Sequence, residues 1–156
     1  MKMENGDNKL NMIEMKDRNS VITYLQFLQN ATSRMANNSS QVKVLISAIY
    51  TIFSTILVGI NKFKEYWWIG LIITIIGIFI DSYYLALEKM YRKKYNNFVK
   101  NLNEDKLDDK LIYDMNPKNT ELKYEIISVM FEAFESFSIY GFYILFIIIT
   151  ILLKII

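Results

Sequence analysis

The sequence predicts an all-α membrane protein with three transmembrane helices, and three observations carry that prediction. Charge-free apolar blocks lie at 44–61, 66–80 and 136–153, each near the roughly 20 residues a helix needs to cross a hydrocarbon core of about 30 Å. The 53% of hydrophobic residues is gathered into these blocks rather than spread along the chain. And 156 residues make one domain, too short to wrap three all-round apolar helices in protein.

Residues 1–19 are polar, with Gly6 and mixed charges, and are expected to be mobile. A cytoplasmic amphipathic helix is expected over 20–43, with Asn19 or Ser20 as N-cap. Its apolar face is Val21, Tyr24, Leu25, Leu28, Thr32 and Met35, at spacings of 3 and 4. No proline or glycine stands between Gly6 and Gly59, so this helix continues into the first crossing. The alternative is a break at Asn37, Asn38, Ser39 and Ser40, which favour turns and caps. Residues 44–87 form a transmembrane hairpin closed by the polar turn Asn61–Glu65. The first block is slightly short and the second spans only with Asp81 inside it. Tyr66, Trp67 and Trp68 mark one interface, and Tyr83, Tyr84 and Tyr91 the other.

Residues 88–136 form a cytoplasmic helical extension with a linker at 101–119, which carries Asp105, Asp108, Asp109 and the lone proline, Pro117. A helix beginning near Thr120 presents Glu121, Glu125, Glu132 and Glu135 on one face and Leu122, Ile126, Val129 and Met130 on the other. That acidic face is either solvated or paired with a neighbouring subunit's basic run. The helix is expected to run at Ser136 into the third crossing, 137–156. Arg34, Lys43, Lys89, Arg92, Lys93 and Lys94 place the N-terminus in the cytoplasm by the positive-inside rule, against a weak opposing vote from Lys62 and Lys64. The C-terminus then lies outside. A polar segment precedes the first apolar block, so no cleavable signal is expected.

The chain has no cysteine and no histidine. Thiolate chemistry, Ser-His-Asp triads and the usual zinc sites are excluded, no phosphate-cradling glycine loop is present, and neither enzyme activity nor a cofactor is expected. Net charge is +2, which does not by itself argue for nucleic acid.

Three constellations remain. Gln26, Asn30, Ser33, Asn37, Ser40, Lys43, Ser47, Thr51 and Ser54 recur every 3 or 4 residues. In lipid such a seam must face protein or water: it lines a pore in an oligomer or it packs helices closely. Reflection about Lys62 puts Lys43 opposite Asp81, near the inner edge of the hydrocarbon, and Arg34 opposite Met90, close to Glu88. Lys43 and Asp81 either pair, or Lys43 snorkels and Asp81 faces headgroups. Asp81 could also belong to a ring of carboxylates selecting cations. The run Lys89, Tyr91, Arg92, Lys93, Lys94, Tyr95 fits anionic lipid and topology, or phosphate binding with base stacking. Lys16, Arg18, Tyr24, Phe27 and Arg34 are further candidates for such a ligand.

Three short elements resemble a family of small bacterial membrane proteins. They are Arg34, Met35, Ala36, Asn38 and Ser39; Asp81, Tyr83, Tyr84, Leu85, Glu88, Tyr91, Arg92 and Lys93; and Ser138, Phe142 and Tyr143. The similarity covers about 20–100 and the last crossing. It is to membrane effectors of phage-defence operons that include a nucleotidyltransferase, particularly the Hailong type. The resemblance implies a homo-oligomer, a tetramer, in the bacterial inner membrane. This would be an ion channel controlled by a nucleotide or short single-stranded DNA oligomer from the partner nucleotidyltransferase, whose opening depolarises the cell. A non-channel scaffold anchoring a cytoplasmic partner is the competing expectation.

Overall fold

The computed structural model describes residues 4–104, 123–134 and 136–155, with side chains from Arg18 and from Ser128 onward in the first two segments. Four helices make up these residues: α1 Glu4–Gly59, α2 Phe63–Asn103, α3 Lys123–Phe134 and α4 Phe137–Ile155. Three of them, taken as Arg18–Gly59, Phe63–Asn103 and Phe137–Ile155, are long and apolar enough to cross a membrane. Among the described residues there is no strand.

α1 has 56 residues, about 84 Å at 1.5 Å per residue. It begins at Glu4, not at Asn19 or Ser20, and runs unbroken through Asn37–Ser40. Residues 7–18 are mostly good helix formers, with Lys9, Leu10, Met12, Glu14, Met15 and Lys16 among them. The Asn-Ser run survives because Met35, Ser39 and Val42 are packed against the neighbouring helix, which outweighs a weak local preference.

The turn ends α1 in a Schellman motif. Lys62 N–H donates to Leu57 O at 2.9 Å and Asn61 N–H to Val58 O at 3.1 Å, with Asn61 in the left-handed region at φ 54. Phe63 then folds inward against Phe53, and α2 kinks at Tyr66 before returning alongside α1.

Two clusters hold the hairpin, by different physics. Tyr24, Leu28, Ala31 and Met35 of α1 pack with Leu87, Tyr91 and Phe98 of α2. This is the amphipathic face expected from sequence, with Ala31 added, and water drives its burial at about 1.5–3 kcal/mol per large side chain. Nearer the turn, Ile46 and Tyr50 pack with Ile139, Tyr143 and Phe146 of α4. The outward surface there is Leu45, Ile49, Ile52, Ile56, Ile72, Ile75, Phe79, Leu145 and Ile148. Such a band suits lipid, where close packing and hydrogen bonds must substitute for the hydrophobic effect.

α4 lies antiparallel to α2: Lys154 Nζ sits 3.8 Å above the Trp67 ring. The last helix therefore ends at the hairpin tip, on the opposite side from the start of α1. α3 does not run straight into α4. The chain breaks at Ser136, whose N–H donates to Ala133 O at 3.0 Å and whose carbonyl accepts from Ile139 N–H at 2.9 Å. α2 stays helical to Asn103, two residues past the expected start of the linker; Glu121, Leu122, Glu135 and Pro117 lie outside the described residues. Glu132 of the acidic face pairs within its own chain, with Lys89 at 3.1 Å.

Candidate functional site: a buried charge cluster between three helices

Ser39 and Lys43 are one helical turn apart and face α2 together. Asp81 meets them, fully buried at 0% exposure. Its Oδ2 lies 2.7 Å from Lys43 Nζ, and its Oδ1 accepts a hydrogen bond from Ser39 Oγ. Lys43 Nζ also donates to Ser39 Oγ at 3.2 Å, closing a three-membered network. Tyr143 brings in α4: it is 1% exposed, and the Asp81 carboxylate is the charged neighbour of its buried hydroxyl. Ser82 Oγ beside Asp81 is buried and unpartnered.

Gly77, one turn before Asp81, permits this convergence. A Cβ there would stand 2.9 Å from both Ile46 Cγ1 and Tyr143 Cε1, so only glycine lets the three helices close at this level.

The depth of the site follows from helix rise. Trp67, level with the end of α4, is about 21 Å along α2 from Asp81, and Phe137 is about 9 Å along α4 from Tyr143. The two lengths sum to the thickness of a hydrocarbon core. Asp81 thus falls about 9 Å inside an apolar slab bounded by the ends of α4. An unpaired charge at the centre of a spanning helix costs about 2.5–3.5 kcal/mol on insertion scales. The Lys43 ammonium and the Ser39 hydroxyl offset that cost.

A second polar layer lies closer to the tip. Tyr50 Oη is 2.6 Å from Thr150 Oγ1 and donates to Phe146 O at 3.2 Å. Thr150 Oγ1 donates to the same carbonyl at 2.8 Å, and Thr74 Oγ1 to Gly70 O at 2.8 Å. The Tyr50 contacts tie α1 to α4 across an otherwise apolar interface, while the bonds that Thr150 and Thr74 donate to carbonyls close on their own helices.

The polar seam divides. Lys43 and Ser54 turn toward the bundle, Ser54 with its hydroxyl buried and unpartnered. Ser47 is half-buried and donates to Lys43 O at 2.7 Å. Gln26, Asn30, Ser33, Asn37, Ser40 and Thr51 are exposed on the protomer, joined by Ala48, Thr55 and Gly59. Exposed Val44 and Val58 interrupt this outward sector, and the exposed apolar residues Leu45, Ile49, Ile52 and Ile56 adjoin it.

The ligand candidates scatter. Arg18 and Arg34 are exposed, and the Lys16 side chain lies outside those described. Arg34 does not take Glu88, which pairs with Arg92 at 2.8 Å. Tyr24 is buried edge-on against Phe98, centroids 4.8 Å apart, so its ring has no free face for a base; Phe27 is half-buried. Tyr91 is likewise core rather than interface. Lys93 is exposed and Lys94 half-buried. Arg92 lines an open cleft with Gln29, Thr32, Tyr95 and Asn96.

The sequence offered Lys43–Asp81 pairing as one of two readings, left out Ser82 and Gly77, and singled out Ser39 and Tyr143 for other reasons. The available signals were the four-residue spacings from Ser39 to Lys43 and from Gly77 to Asp81. No family model, curated protein or solved structure matches the chain.

Proposed function

We propose that the chain is the subunit of an oligomeric, regulated ion channel in a bacterial cell membrane, a phage-defence effector whose opening depolarises the cell. The observation that carries the reading is the outward polar sector of α1. Along the apolar stretch of α1, Ser40, Thr51 and Thr55 are exposed and Ser47 is half-buried, and such a polar sector in lipid requires protein or water against it. A ring of α1 helices supplies both. The resemblance adds support through its placement: Ser39, Asp81 and Tyr143 come from its three separate elements and converge on one buried carboxylate. In this reading the Asp81 cluster is a lock between helices rather than the pore lining. Asp81 is fully buried in the protomer, so a carboxylate ring facing the pore is not part of it.

Control would act on the N-terminal side, where Lys16, Arg18 and Arg34 precede the first crossing and Arg92, Lys93 and Lys94 lie on α2. The ligand would be a nucleotide or short single-stranded DNA made by a partner nucleotidyltransferase, bound through phosphates. A non-channel scaffold draws on a different observation, the packed hairpin half around Leu28, Tyr91 and Phe98, which offers a platform for a soluble partner.

Purified protein in planar bilayers tests the choice. Discrete conductance, together with disulfide-linked dimers of Thr51→Cys, is expected from a channel with α1 at its axis. Silent bilayers and a Thr51→Cys variant that never crosslinks would leave the scaffold. With conductance established, charge removal at Lys16 and Arg18 should weaken oligonucleotide binding and flatten its salt dependence while insertion is unchanged.

A further inference from the structure

Aromatic side chains recur every third residue across the α3–α4 elbow: Phe131, Phe134, Phe137 and Tyr140. Phe131 is 67% exposed, Phe137 89% and Tyr140 53%, and the Phe131 and Phe134 rings lie 6.2 Å apart. Among the described residues nothing covers Phe131, Phe137 or Tyr140. They continue the lipid-facing row Ile144, Leu145 and Ile148 of α4 past the break at Ser136.

The 19 residues of α4 make about 28 Å of helix, close to a full hydrocarbon core. One end carries Lys154 over Trp67, beside Tyr66 and Trp68. Phe137 is therefore at the opposite boundary. α3 is held at a matching height by Lys89, whose Nζ pairs with Glu132 Oε1 and also donates to Glu132 O at 3.3 Å. Lys89 is about 12 Å beyond Asp81 along α2, hence about 3 Å outside the hydrocarbon on the depth derived above, at headgroup level.

We propose that the α3–α4 elbow lies at the surface of the membrane the chain spans, with Phe131 and Phe137 seated at the headgroup–acyl boundary. Aromatic rings prefer that layer. Half-buried Lys89 and exposed Glu132 beside it meet the polar headgroups. The elbow then sets the depth of α4, and through α4 the height of Tyr143 against Asp81. The proposal rests on the membrane reading of the three long helices and is independent of channel activity.

The chain has no native cysteine, so single spin labels can be placed cleanly in the full-length protein in phospholipid nanodiscs. Cysteine is introduced at Phe131 or Phe137, with Ile148 as lipid control and Asn103 as water control. Power saturation then compares access of oxygen with access of a water-soluble nickel chelate. The Ile148 label should favour oxygen several-fold and the Asn103 label the chelate. The Phe137 label should approach Ile148, and the Phe131 label should fall between the controls. Should Phe137→Cys fail to fold, Tyr140→Cys reports the same boundary. A Phe131 label as open to nickel as Asn103 puts α3 in water and overturns the proposal. Protection from both reagents means a protein cover and overturns it equally. An Ile148 label that reads like Asn103 would remove the membrane premise and the proposal with it.

Discussion

Replacing Lys43 by methionine keeps the stem and removes the charge that neutralises Asp81. The carboxylate is 0% exposed and its side chain is short, so it has no route to water. Breaking a buried ion pair by removing one partner costs about 3–5 kcal/mol, a roughly 200- to 5000-fold loss in the ratio of folded to unfolded protein. Asp81→Asn should cost less, about 1–3 kcal/mol. The amide still accepts from Ser39, and the Lys43 side chain, already 18% exposed, can carry its ammonium outward along its stem. Removing both charges with Lys43→Met and Asp81→Asn should cost clearly less than Lys43→Met alone, because no buried charge is left behind. The cycle therefore predicts a coupling of about 2–3 kcal/mol. It can be measured by reversible unfolding in mixed micelles with increasing SDS, followed by helical circular dichroism. Single costs that add to the double within about 0.5 kcal/mol would remove the ion pair from the account. A larger cost for Asp81→Asn than for Lys43→Met would refute the argument from snorkelling.

Three further outcomes follow from local geometry and can be read in the same unfolding assay. Gly77→Ala forces Ile46 or Tyr143 to move and should destabilise by about 1–3 kcal/mol, whereas at Gly141 the nearest atoms are 3.8 Å from a built Cβ and alanine should be neutral or stabilising by up to about 1 kcal/mol; equal effects at the two positions would argue against a close three-helix junction. Asn61→Gly should be tolerated while Asn61→Ala loses about 1 kcal/mol, because only a left-handed residue completes the Schellman turn. Tyr50→Phe should cost about 1 kcal/mol for the lost bonds to Thr150 and Phe146, and no change would mean that the layer is packing alone.

Much of the site's wiring was legible because a hairpin imposes a simple rule on its sequence. Once the turn is centred near Lys62, the partner of Lys43 at equal height is residue 81, and helix rise does the rest. The polar seam was less legible. Spacings of 3 and 4 admit a wide sector of a helix, so residues as different in fate as Thr51, exposed, and Ser54, buried, satisfied the same pattern. Tyr24 and Tyr91 show the same weakness from the other side. An aromatic near a basic run reads equally as a stacking surface or as core, and the antiparallel packing of α1 on α2 made both of them core.

By itself, the sequence determined that this chain has three membrane-length helices, that the first two form a hairpin, and that Lys43 and Asp81 share a level. Those properties depend on apolar length and on linear rise, which are written along one dimension. In the apolar half of the bundle, the tertiary structure alone decided which side of each helix is inside. Ser39, Gly77, Asp81 and Tyr143 meet because α4, arriving some 60 residues after Asp81, packs against α1 and α2 at a particular rotation. That rotation is set by close contact, with Gly77 leaving room for Ile46 and Tyr143. Inside lipid an apolar side chain gains little by turning inward, so hydrophobic pattern gives no instruction about rotation there. The orientation is fixed by steric fit and by the few polar groups that must find one another.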